Sequence, residues 1–395
     1  LYMDTPQWPL QDHQESMLFR HYVYVLAPMF DLCDQENRHF ATVVARRAAT
    51  CPLLLNALLA ASAKRLSRID DFDALAADKY HNTCIRLLLS ALSNPLSVAD
   101  ENVLTAIVIL RYIEELDAAS SRQRPESHLM GIRVFIAAQE RTCDFSGLRM
   151  AAYGLALRQE IYTAFVHARS IHPSFTLKSI VDMAQNTENG CGYANRIIMH
   201  CAECLKFCYG SEEKNVAAWK ELRAYQDRWW REKPWIFQPI WSDQSESGFF
   251  INEVYLNAPV VMGVQHYHLA RMLLIAHDPS APRLGPGLVH AFRAINEDIK
   301  KIVRLVCGIA ESSNGLCSYR YAFISISLAG DRFTERDEQE ALYRILRKTD
   351  EELAWPTRSA QSSLREAWGW EDSLPHPDMS IAGILNSGPR PTIID

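Results

Sequence analysis

Residues 17–68, MLFRHYVYVLAPMFDLCDQENRHFATVVARRAATCPLLLNALLAASAKRLSR, settle the structural class. Apolar positions recur there at helical spacing. Tyr22, Leu26 and Met29 share a stripe on a first helix from Met17 to Phe30. After a short connection at 31–37, Phe40, Val43 and Val44 mark a second helix that ends near Cys51. Pro52 stands at a first helical position, where a missing N–H costs nothing because that donor has no helical acceptor. Leu54, Leu55, Leu58, Leu59 and Ser62 then follow at the same period. Leu- and Ala-rich runs of this kind build the interior of a helical bundle or α-solenoid, and no reactive side chain stands out from them.

Outward from this stretch the pattern repeats. Residues 1–14, with Pro6, Trp8 and Pro9, read as an irregular lead-in. An acidic turn at Asp70–Asp73 precedes a helix over 74–92, and NVLTAIVILRYIEEL, apolar nearly all round, predicts a helix buried on most sides, with Arg111 and Glu115 four apart as a pair. A polar loop at 118–127 leads to helices His128–Arg141 and Leu148–Val166. The most irregular segment, 170–192, is a candidate boundary, but the apolar helices on both sides favour one continuous core. Helices follow over Tyr193–Tyr209, closed by Gly210, then 214–231, Glu253–His277, 288–311, 316–329, 334–354 and 362–370. Thr334 and Asp337 have capping-box spacing. No period-2 run of any length occurs. The expected fold is all-α: one large multi-helix domain over 15–371, antiparallel helices stacked bundle- or solenoid-like, and a Pro/Gly-rich tail at 372–395.

Composition narrows the function. The 41 basic and 47 acidic residues give a net charge of −6, which argues against this chain gripping a phosphate backbone by itself. No DNA-binding residues are assigned to it. The 10 cysteines mostly sit in apolar helical text, where free cysteine acts as a small hydrophobe, and suit a reducing compartment. No apolar run has the length of a membrane span, and no secretory signal opens the chain.

Several constellations invite chemistry and fall short. His200, Cys204 and Cys208 lie at i, i+4, i+8 in HCAECLKFC, yet a structural zinc needs four tetrahedral ligands and this run lacks a second half. His266 and His268, two apart on a helix, point in different directions: one toward the interior, the other toward solvent. Asp70, Asp71 and Asp73 suggest the magnesium-binding D-D-x-x-D/E of all-α terpene cyclases, but Ala74 stands at the fifth position and the partner motif is absent. Walker, nucleophile-elbow, zincin and catalytic-cysteine signatures are missing. Aromatic rings crowd residues 219–255. The plain reading is that they seal a long loop onto the core. The functional reading is a ligand pocket of Trp219, Trp230, Tyr255, His266, His268 and Arg271 between helices.

The phrases LAPMFDLCDQENRHFATVVARRAATCPLLLNALLAASAKRLSR, ENVLTAIVILRYIEELD, GLRMAAYGLALRQEIYTAF, ANRIIMHCAECLKFCYG, VQHYHLARMLLIAHDPSAPRLGPG and AGDRFTERDEQEALYRILRKTDEELAWPT resemble the fungal-specific transcription factor domain, second subtype, of zinc binuclear-cluster regulators, over about residues 15 to 371. The resemblance implies an all-α regulatory module in the nucleus. It also implies an N-terminal six-cysteine zinc cluster that reads DNA. Cys33, Cys51 and Cys84 are too widely spread to form such a cluster, and the chain begins at Leu1 rather than Met, so the cluster and its zinc are expected upstream. DNA would then be reached only through that module, and the direct partners would be coregulator proteins or a small-molecule effector, with no membrane. The competing expectation is an all-α secondary-metabolism enzyme or small-molecule-binding protein on the same scaffold, shaping a reactive intermediate in the aromatic cavity. No catalytic residue is assigned in either case.

Overall fold

The computed structural model describes residues 2–70, 72–94, 97, 99–117, 147–173, 175, 190–243, 248–282, 284–313 and 315–370. The expected helix His128–Arg141, the loop before it and the tail after 371 lie outside these residues, as does most of the 170–192 segment.

The opening stretch is helical throughout. Helix α1 (His13–His21) runs through a π-turn at Tyr22–Leu26 into α2 (Ala27–Phe30), and a second π-turn at Phe40–Val44 runs into α3 (Ala45–Arg47). Asp31 joins the two segments: its carboxylate accepts from the Phe40 and Ala41 N–H groups at 2.8 and 2.9 Å. Those donors have no helical acceptor, so the side chain satisfies them. The second segment leaves helical geometry after Arg47, slightly before Cys51. Helix α4 (Pro52–Ile69) is buried along most of its length and packs on α1, α5 (Ala74–Leu92) and α6 (Glu101–Asp117). Asp73 caps α5 through the Leu75 N–H at 2.9 Å, which gives that aspartate of the acidic turn a structural role.

Helix α7 (Gly147–Val166) packs on α6 and α8 (Gly190–Tyr209). Helix α9 (Val216–Arg231) lies against α8 and α10 (Ala258–Ala276). Helices α8 and α10 cross closely because Gly263 has no side chain: a Cβ there would lie 3.2 Å from Ala194 Cα and 3.0 Å from Phe237 Cε1. The chain continues through α11 (Leu288–Ser313), α12 (Leu316–Ala329), α13 (Arg336–Glu351) and α14 (Arg358–Ala367), each packed on its predecessor. The architecture is all-α with multi-helix packing. One apolar cluster extends from Leu18 to Leu364, so helices before and after the 170–192 segment share a core.

Four local expectations are corrected. The helix expected from Glu253 begins only at Ala258, because Asn257 caps it on the Val260 N–H and Pro259 occupies its first turn. The residues before it form β2 (Asn252–Val254), antiparallel to β1 (Trp241–Asp243) with Trp241 opposite Val254. Helix α13 starts one residue after Glu335 with no side-chain cap, so the Thr334–Asp337 spacing is not used. Arg111 bonds Glu114 at 2.8 Å rather than Glu115, whose carboxylate is taken by a residue far along the chain. His266 and His268 are both buried, because α10 is surrounded by α8, α9, α11 and α12.

Candidate functional site

The aromatic residues of 219–255 fill space more than they line it. Trp229 stacks on Tyr193 at 4.9 Å and on Tyr267 at 5.6 Å, and Tyr267 stacks on Trp230 at 4.4 Å. Tyr193 Oη donates to the Trp229 carbonyl at 2.7 Å and Trp229 Nε1 returns a bond to the Tyr193 carbonyl at 3.2 Å. With Phe237, Tyr255 and Val260 they make a second apolar cluster. His268 sits edge-on to Trp230 and Tyr267, His266 faces the other way against Tyr321 at 4.6 Å, and Arg271 Nη1 donates to Tyr267 Oη at 3.0 Å. Trp219 bonds the Leu274 carbonyl at one end of α10, whereas Tyr255 precedes its other end. At 1.5 Å rise per residue these lie roughly 25 Å apart, so the six residues do not surround one space. Trp235 and Trp241 are exposed.

The sulfur-rich run on α8 is packed in the same manner. Cys204 Sγ lies 3.4 Å from His200 Nε2, while the Cys208 thiol faces the Leu273 carbonyl. Burial pushes Cys208 up to about 12 and Cys204 well above its ordinary value, and lowers His200 to about 4. Burial thus holds both thiols in their neutral form. Among the described residues no three His, Cys, Asp or Glu side chains are grouped to hold a metal ion. His200 stacks on Tyr225 at 4.7 Å in the wall of an open groove of about 450 Å³ between α8 and α9.

A different interior region holds the charges. Where α2, α6, α7, α10 and α12 converge, a chamber is lined by Glu115, Arg158, Gln159, Arg320, Tyr321 and Trp355, with Met262, Leu155 and Phe30 among its apolar walls. It offers about 30 Å³ accessible to the centre of a water-sized molecule, room for about two waters. Arg320 Nη2 bonds Glu115 Oε1 at 2.9 Å, and its guanidinium lies 3.9 Å from the centroid of the Tyr162 ring and 4.3 Å from that of Trp355, two rings set edge to face. Cations favour such contacts because ring faces are electron-rich. Trp355 Nε1 donates to Tyr162 Oη at 2.9 Å. Trp355 is brought in by a strap after α13 that Arg65 and Arg68 of α4 hold through the Leu353 and Ala354 carbonyls. Burial raises the Glu115 carboxyl, opposed by the Arg320 and Arg111 charges.

Arg158 is 6 % exposed and donates from Nη2 to the Phe30 carbonyl at 2.8 Å. No carboxylate among the described residues pairs with it. Gln159 Nε2 donates to the Val108 carbonyl at 3.1 Å. Its Oε1, like Glu115 Oε2 and Arg320 Nε, is buried without a hydrogen-bond partner. The sequence reading took Glu115 only as a partner of Arg111 and passed over Arg158, Gln159, Arg320, Tyr321 and Trp355. The available signal was polar residues inside helices that are otherwise apolar all round: LALRQEIY in α7 and RYIEEL in α6.

Fold and chamber together define a class: a large helical domain with a small space lined by buried charges, and among the described residues no helix long and apolar enough to cross a membrane. Residues 17–207 match the family described as the fungal specific transcription factor domain. No curated protein and no solved structure matches the chain.

Proposed function

We propose that the chain is the regulatory region of a fungal zinc-cluster transcription factor and works in the nucleus through a six-cysteine DNA-binding module encoded upstream. The family match of residues 17–207 carries this reading. Charge supports it, since a surplus of acidic residues repels a phosphate backbone and leaves DNA contact to a separate unit. The described cysteines are free and dispersed among helices, so zinc is assigned to the upstream module. The domain restrains or releases that module, either by contacting coregulators or in response to a small molecule. A ligand shifts such an equilibrium only by its difference in affinity for the two arrangements. The competing reading, an enzyme using an aromatic-lined cavity, is disfavoured because those rings are occupied with one another.

Reading the transcript upstream of the Leu1 codon tests the proposal. Two C-x-x-C-type halves close together in one open reading frame are expected; a start codon preceded by no such cluster overturns it.

A further inference from the structure

We propose that the open groove between α8 and α9 docks a basic amphipathic helix of a partner protein, its apolar face on Met199, Leu222 and Tyr225 and its Lys or Arg side chains on Glu203 and Glu221. The inference deepens the regulatory reading by giving the chemistry of a coregulator, and only its meaning as regulation rests on that reading.

Two helical stripes make the groove. On α9, Ala218, Glu221, Leu222 and Tyr225 stand at i, i+3, i+4 and i+7, the spacing of one helix face. On α8, Met199, Glu203 and Phe207 recur every fourth residue. From Arg196 to Phe207 the groove follows α8 for about 16 Å, three turns. Met199, Phe207 and Leu222 rest on the main apolar cluster and Tyr225 on the aromatic one, and all four stay only half-buried. The floor is therefore held from below and apolar above. Its volume of about 450 Å³ lies within the range of about 300–1,000 Å³ that ligand sites occupy.

Charge and backbone chemistry choose the occupant. The wall carries four carboxylates, Glu203, Glu212, Glu213 and Glu221, against two cations, Arg196 and Lys206. None of the four carboxylates forms an ion pair among the described residues. An acidic partner would meet like charge, whereas Lys or Arg on the rim of an apolar contact steers encounter and fixes register. A second copy of this chain is disfavoured by its net charge of −6. Both walls are helices whose backbone groups are bonded internally, so an extended peptide finds no sheet edge and leaves its own amides unpaired. A helix arrives with its backbone already satisfied, and apolar side chains at i, i+4 and i+7 match the length of the groove.

The test is binding of a labelled helical peptide to the 395-residue chain, followed by fluorescence anisotropy at physiological ionic strength. The probe is a peptide of about four turns with Leu on one face and Lys on the other. It is expected to bind, while its counterpart with Glu in place of Lys and a version broken by a central proline should not. Glu203→Lys with Glu221→Lys should weaken binding roughly tenfold or more. Glu352→Lys with Glu366→Lys makes the same change in net charge on exposed carboxylates at the end of α13 and on α14, and should leave affinity within about twofold. Ala218→Trp, which fills the groove and leaves its charges unaltered, should block the peptide as well, and keeps the test open if the first double variant fails to fold. Absence of binding by the Leu/Lys peptide overturns the proposal. So does a loss in the α13–α14 variant equal to that in the groove variant, which would mean attraction to acidic surface at large. Self-association of the chain that Ala218→Trp abolishes would assign the groove to a second copy and overturn it too. Any of these would leave the regulatory reading to its transcript test, and an absent zinc cluster would leave helix binding intact.

Discussion

Two interior regions a few helices apart differ in what they bury. Around Tyr193, Trp229 and Tyr267, aromatic faces stack, indole and phenol groups find backbone partners, and the space is filled. Around Arg158, Glu115 and Arg320, charges are buried beside a chamber and several polar atoms have no partner. Aromatic rings satisfy themselves by mutual packing, so a crowd of tryptophans need not mark a ligand. Buried charge is expensive unless compensated. A guanidinium inside an apolar bundle that meets no carboxylate among the described residues is therefore the more costly of the two arrangements.

The contrast can be broken by mutation, beginning with the largest effects. Trp229→Ala opens a cavity in the filled region and should cost about 3–5 kcal/mol, seen as a lower urea midpoint. In the charged region, Glu115→Ala leaves Arg320 as a second unpaired cation. It should cost a comparable ~3–5 kcal/mol, whereas Glu115→Ala combined with Arg320→Met should recover part of the loss. If the double variant is no better than the single, the pair is not what holds this region. Gly263→Ala forces a Cβ against Ala194 and Phe237 and should cost about 1–3 kcal/mol through overpacking, measured by the same denaturation. Arg158→Met should be the mildest, within about 1 kcal/mol of wild type, because the lost bond to Phe30 is offset by removal of an unpaired buried charge. A loss as large as that of Glu115→Ala would mean that Arg158 is a structural cation.

Acid sharpens the comparison further. Burial lowers His266 and His268 to about 3 and His200 to about 4. The unfolded chain therefore takes up protons on these three residues as pH falls below about 6.5, while the folded chain does not. Stability rises with pH wherever the unfolded state binds more protons, so it should be present above pH 6.5 and be lost on acidification toward pH 4. Asp31, raised to about 6 by burial, acts in the opposite direction and offsets part of the loss. Tm measured across this range should fall toward acid, and His266→Gln with His268→Gln should flatten the slope.

Much of the fold was legible in the sequence because it is local. Helical periodicity marked α4, α5, α6, α7 and α12 nearly to the residue, since each run carries its own apolar stripe and its own stop signals. Local patterning failed where neighbours decide. Glu253 and Val254 read as helix and lie in a strand, because pairing with 241–243 and the cap at Asn257 outweigh propensity. The candidate site was less legible. The aromatic and histidine side chains singled out from sequence are real interior residues, but α10 distributes them over its length and around its circumference. Their convergence could not be judged from spacing on one helix.

The sequence alone determined an all-α chain and the positions of most of its described helices, because periodicity and capping act over a few residues. Tertiary structure decided that Glu115 pairs with Arg320, that the strap after α13 delivers Trp355, and that Arg158 meets no carboxylate among the described residues. Each of these depends on side chains far apart in the chain meeting in a low-dielectric interior, where electrostatic cost is set by who else is present.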